Sequence, residues 1–228
     1  MELKNWNEKL KLLKSIILKQ NEFSEAMKLC LELHAMVHAS SMSHMNEKTF
    51  EDELWEGLNE EIIRTAINSK GRTIAYGIWH STRIEDITMN LLVDDCEQVI
   101  DRGDFIKNIN STIYDTGNEL TAEEILEFSK HINIEELKRY RIEVGRRTEE
   151  IIKKLTTTDM KRKIPKERLQ RVIDKKAVSE DESAVWLIDF WGRKNVSGLI
   201  LMPALRHHIV HINESIAAKK RGKMKGNP

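Results

Sequence analysis

Two histidines, His207 and His211, stand four apart in Arg206-His207-His208-Ile209-Val210-His211, and a third, His80, lies far upstream in Ile78-Trp79-His80-Ser81-Thr82-Arg83-Ile84-Glu85-Asp86. An i, i+4 pair of imidazoles projects from one face of a helix. A third imidazole from a facing helix would fill three corners of a tetrahedron and leave the fourth open. That is the layout of a catalytic zinc-type site, since structural sites close all four positions. The candidate metal ligands are therefore His80, His207 and His211. His208 points about 100° away from His207 and makes a poor third ligand for the same ion. Chance alone gives about 0.3 such pairs for eight histidines in 228 residues, so the HxxxH spacing carries weight only together with His80.

A buried imidazole needs partners for both nitrogens, and metal ligation supplies one of them. Glu85 follows His80 by five residues and Glu214 follows His211 by three. These carboxylates would orient the ligands from behind, or else stand as surface charges. Glu85 and His34 are both open as a general base. His34 and His38 form a second i, i+4 pair on an apolar face. They either line the same cavity and add a ligand or are core histidines bonded to serine or backbone, and their apolar setting favours the second reading. Arg83 and Arg206 each stand beside a ligand candidate, where a guanidinium would grip an anionic substrate group or serve as a surface ion-pair partner.

Holding such a constellation requires long helices. Three prolines and ten glycines in 228 residues favour them, and no stretch alternates with period two long enough to demand a strand. The periodicity predicts helices over about Glu22–Ser43, Thr49–Asn68, Thr73–Val99, Ile134–Leu155 and Val196–Ala218. Tyr76, His80, Ile84, Ile87 and Leu91 form the inward stripe of the third. Thr121 with Glu124, and Ser179 with Glu182, read as capping boxes opening further helices, and Pro165 suits a first helical turn. The expected architecture is all-α: a four-helix bundle with short accessory helices, in one domain with its core from about residue 20 to 218. The basic run from Lys219 onward reads as a flexible tail.

Lys plus Arg and Asp plus Glu both number 37, so no net field points to nucleic acid or membrane. Cys30 and Cys96 lie in apolar helical contexts without metal-ligand spacing and read as buried thiols in a reducing compartment. Met1-Glu2-Leu3-Lys4-Asn5-Trp6 lacks the apolar stretch of a signal peptide, and no window approaches a membrane span. A cytoplasmic protein is expected.

The Trp79-His80-Ser81-Thr82-Arg83-Ile84-Glu85-Asp86 segment resembles the second helix of the DinB/YfiT-like superfamily, and His207-His208-Ile209-Val210-His211 resembles that superfamily's last helix. The resemblance implies a four-helix bundle holding a divalent metal, zinc or nickel, through His80, His207 and His211. It further implies a metal-dependent enzyme working on a small-molecule substrate, with thiol S-transfer using a low-molecular-weight thiol, or hydrolysis, as the chemistry. A homodimer is common among such bundles. The chain departs from the pattern in its added residues around Thr156–Lys194 and in its His34/His38 pair. The rival expectation is a non-catalytic helical stress or regulatory protein whose histidines are structural.

Overall fold

The computed structural model describes residues 1–225, and these are mostly helical with no strand among them. Helices α1 (Leu3–Ile16) and α2 (Phe23–Met36) open the chain. Three short ones follow, α3 (Ser40–Ser43), α4 (Phe50–Trp55) and α5 (Glu60–Thr65), before α6 (Ile74–Asp86), which runs straight into a π-helical stretch, Ile87–Asp94. Then come α7 (Phe105–Ile109), α8 (Ala122–His131), the long α9 (Ile134–Lys154), α10 (Thr157–Lys161), α11 (Lys166–Asp174) and α12 (Glu182–Gly192). The last segment is composite: α13 (Val196–Leu199), a second π-helical stretch (Ile200–Arg206) and α14 (His207–Lys225).

Local chemistry sets these limits. Thr73 caps α6 by accepting from Tyr76 N at 3.1 Å. Asn133 caps α9 through Glu135 N and Glu136 N, and Lys153 and Lys154 occupy the last turn, where the helix dipole favours cations. The Thr121–Glu124 capping box opens α8 as its spacing predicts. The Ser179–Glu182 box does not form. Asp181 caps α12 instead, accepting from Ser183 N at 2.8 Å, because its carboxylate stands closer to the first helical amides. Pro203 lies inside the second π-helical stretch. A proline lacks the N–H that an α-turn would use, so the wider turn relieves a break that would otherwise end the helix.

Helix α6 is buried along all thirteen residues. It packs against α14 on one side and α9 on another, α9 meets α2, and the Ile200–Arg206 stretch returns to α2. An apolar helix could be submerged cheaply, but α6 carries Ser81, Thr82, Arg83, Glu85 and Asp86 inside the protein. Each must find partners there or cost stability. Arg83 does so through Asp86 Oδ2, Tyr140 Oη, Gln98 Oε1 and the Tyr114 carbonyl, which removes it from both expected roles, surface pairing and anion capture. Arg206 is exposed.

Two boundaries differ from expectation. The core begins at the N-terminus rather than near residue 20: Trp6 and Leu13 of α1 are fully buried, and the Trp6 indole donates to Leu33 O at 3.1 Å. The basic C-terminal run remains helical to Lys225, with Gly226–Pro228 outside the described residues. Lys219 explains the order, since its ammonium donates to the carbonyls of Glu53, Leu54 and Glu56 at the end of α4. Cys30 is buried as expected, whereas Cys96, just past the left-handed Asp95, is only partly covered. No helix among the described residues is long and apolar enough to cross a membrane.

Candidate metal centre

His80 faces α14 from the middle of α6, and His207 and His211 face it from the first turns of α14. Their ring centroids lie 5.1 Å (His80–His207), 4.9 Å (His80–His211) and 4.5 Å (His207–His211) apart. One nitrogen from each falls within 4.8 Å of the others, a spacing that fits three imidazole ligands around one ion. The three histidines expected from sequence are thus brought together as a buried group able to bind a metal.

Hydrogen bonding decides which nitrogens are free. His80 Nδ1 lies 2.8 Å from the Thr116 carbonyl, which can only accept, so Nδ1 carries the proton and Nε2 keeps its lone pair. His207 Nε2 and His211 Nε2 face each other at 3.1 Å. Glu214 Oε2 stands 3.3 Å behind His211 Nδ1. A carbonyl behind one ligand and a carboxylate behind another reproduce the outer partners that fix the tautomers of metal-binding histidines. Of the two carboxylates proposed from sequence, Glu214 holds that place. Glu85 does not, because five residues along a helix rotate the side chain about 140°, away from His80 and toward α2. Its carboxylate lies 2.7 Å from His34 Nε2.

The electrostatics favour neutral ligands. Burial, with the neighbouring imidazoles adding to it, pushes His80 and His207 well below the ordinary histidine range, and burial lowers His211 as well. The close approach of His211, reinforced by Lys70, holds the Glu214 carboxyl down at about 2 against the opposing effect of burial. Lys70 Nζ sits 2.6 Å from Glu214 Oε1 and Arg72 Nη1 sits 3.5 Å from Oε2. Neutral imidazoles backed by an anion are what a divalent cation binds, since a protonated ring has no lone pair to give.

A cavity of about 310 Å³ opens onto the triad. Trp186, Phe190, Trp191 and Met202 form its apolar wall, and Arg72 and Asn118 supply its polar groups. A small, mostly apolar space with a few convergent polar groups is the usual form of a small-molecule site. A larger groove, about 940 Å³, lies between α5 and the end of α14 and is lined by no imidazole or thiol.

His34 and His38 do not line this cavity. They gather with Glu85 and His208 in a second, fully enclosed cluster. Sequence reasoning set His208 aside as a ligand for the first ion, and its ring does turn away from that triad, but its own destination went unread. The available signal was the shared offset: His208 and Glu85 both sit off the His80–His207 face of their helices. Compared with models of known protein families and with curated proteins, the chain matches none.

Proposed function

We propose that the protein is a cytoplasmic, divalent-metal-dependent enzyme of the DinB/YfiT-like type, a four-helix bundle formed by α2, α6, α9 and α14 with the shorter helices as additions. His80, His207 and His211 hold the ion, with zinc or nickel as the candidates. The observation that carries this reading is the 310 Å³ cavity that reaches all three histidines. Three neutral nitrogen donors with space beside them leave a coordination position to water or substrate, as catalytic sites require.

An ion bound there supplies Lewis acidity, which brings the pKa of a water or thiol toward neutrality. The protein's own groups do the rest. Thr116 O and Glu214 keep the His80 and His211 rings aimed. Trp186, Phe190 and Trp191 exclude water from the electrophile, and Arg72 offers a charged fork to an anionic substituent. Neither cysteine lines the cavity, which favours an exogenous low-molecular-weight thiol over a protein nucleophile. In thiol transfer a C–S bond forms, the carbon–leaving-group bond breaks, and the thiol proton leaves with the departing group.

The test is metal content of untagged protein beside His80→Ala, followed by assays of thiol consumption and hydrolysis with alkylating and ester electrophiles. One metal equivalent lost in His80→Ala, with turnover lost alongside it, supports the reading. A native protein that takes up no metal at the triad refutes it and favours the non-catalytic alternative.

A further inference from the structure

The second cluster lies between α2, α6 and α14, with α9 behind it. His34, His208 and Glu85 are entirely buried, and His38 is 1% exposed. Glu85 Oε1 lies 2.7 Å from His34 Nε2, while Oε2 lies 3.1 Å from His38 Nε2 and 2.8 Å from His208 Nε2. Only the first contact is aligned as a hydrogen bond. Glu85 Oε2, His38 Nε2 and His208 Nε2 have no aligned partner, and neither have the Nδ1 atoms of His34 and His38. Buried polar atoms in proteins are overwhelmingly paired. Between His38 Nε2 and Glu85 Oε2, close contact without alignment is what lone pairs aimed at a common third point produce.

Charge gives an independent reason. Arg141 is the nearest cation, and its Nε is committed to Glu51 at 2.6 Å. Its Nη2 donates to Val37 O at 2.8 Å, and Nη1 lies within reach of Ser81, Thr82 and His208 Nδ1. Glu51 therefore balances Arg141, and Glu85 is left as an anion with no cation of its own. A lone buried carboxylate is costly enough that proteins pair it or place a metal on it.

The backbone makes room for the arrangement. At Gly145, in the middle of α9, an added Cβ would stand 2.9 Å from His38 Nδ1 and 2.7 Å from Met42 Cγ. A mid-helix glycine costs about 1 kcal/mol relative to alanine. Here it is the residue that lets the His38 ring reach the carboxylate.

We propose that His34, His38 and Glu85 form a second divalent-cation site, separate from the His80/His207/His211 triad and closed to substrate. Two imidazoles and one carboxylate are a donor set for a first-row transition ion such as Fe(II), Co(II) or Zn(II), and a poor one for Mg(II) or Ca(II), which prefer all-oxygen shells. His208 is a positioning residue here. An arginine can only donate, so Arg141 at His208 Nδ1 leaves the ring proton on Nε2, facing Glu85 Oε2. Enclosed by the surrounding helices, with donors at most 1% exposed, the ion would join α2 to α6 as a structural fastener.

Titration of metal-free, full-length protein with Co(II), followed by visible absorption and by stoichiometry, tests this. The wild type should take up two equivalents. Glu85→Gln should lose one and keep the spectrum of the triad, and His211→Ala should lose the other and keep the spectrum of the buried site. A single equivalent in the wild type that His211→Ala removes and Glu85→Gln spares overturns the proposal. So does a second equivalent that survives both Glu85→Gln and His38→Gln. Circular dichroism checks folding of each variant, and His38→Gln serves if Glu85→Gln fails to fold.

Discussion

Acidification should destabilise the metal-free protein well before its carboxylates titrate. His38 and His208 are buried with Glu85 and Arg141, and burial, the dominant cause, pushes both down to about 3 from an ordinary 6.5. Their folded pKa values are depressed, so the unfolded chain takes up protons that the folded one refuses, and stability falls as pH drops below the unfolded value. At about pH 5.5 each unfolded imidazole gains RT ln 11, about 1.4 kcal/mol, while its folded counterpart gains almost nothing. Two such groups cost about 3 kcal/mol between about pH 7.5 and 5.5, a large part of a domain's usual stability. His80 and His207 act in the same direction. The depressed carboxylate of Glu214 acts in the same direction but in a lower pH window. Stability from Glu214 is present above its ordinary 4.5 and is lost only as pH falls toward about 2, so it is nearly intact at the lower test pH. Urea unfolding with chelator at both pH values should show a midpoint lower by about 1–1.5 M at the acidic one, for a slope of about 2–3 kcal/mol per molar. An unchanged midpoint would mean that these rings are protonated or solvated in the folded state, and the burial argument would fail.

Further substitutions separate the groups. His207→Ala or His211→Ala should abolish binding at the triad, whereas His208→Ala should leave that ion in place, and equilibrium dialysis with Zn(II) reads the difference. Glu214→Gln should weaken triad binding about 10- to 100-fold by loosening the support behind His211, measured by competition with a chelating dye. Arg83→Ala should cost about 3–5 kcal/mol in denaturant unfolding, because it leaves the buried Asp86 carboxylate without its counter-ion. Gly145→Ala gains helix propensity but forces apart His38 and Met42, so a net loss of about 1–2 kcal/mol and the loss of one Co(II) equivalent are expected.

Much of this was legible in sequence where local rules govern. Helix α9 follows from its periodicity, and the triad follows from the i, i+4 spacing joined to one distant histidine. The direction of His208 followed from 100° per residue. What stayed hidden depends on which helices meet. Arg83 and Arg141 carry the composition of surface residues, yet Arg83 is buried because α6 is enclosed on every side and Arg141 because it projects from α9 onto Ser81 and Thr82 of α6. Their partners, Tyr140 Oη and Glu51, lie 57 and 90 residues away, beyond any local pattern. Helix α1 was missed because nothing local shows that Trp6 reaches a carbonyl of α2. The widened turn at Pro203 also depends on tertiary support that propensity does not encode.

His207 and His208 are neighbours in the chain and serve different clusters, as do His80 and Glu85 one helix away. Each helix is therefore pinned at two points that do not share an axis. A single pin would let α14 rotate or slide against α6, whereas two pins on different faces fix the register. An ion at the triad joins α14 to α6 and an ion at the buried site joins α2 to α6, so each restrains α6, the helix that the other must also restrain. By thermodynamic reciprocity the two affinities are then linked, each occupancy tightening the other by one common factor.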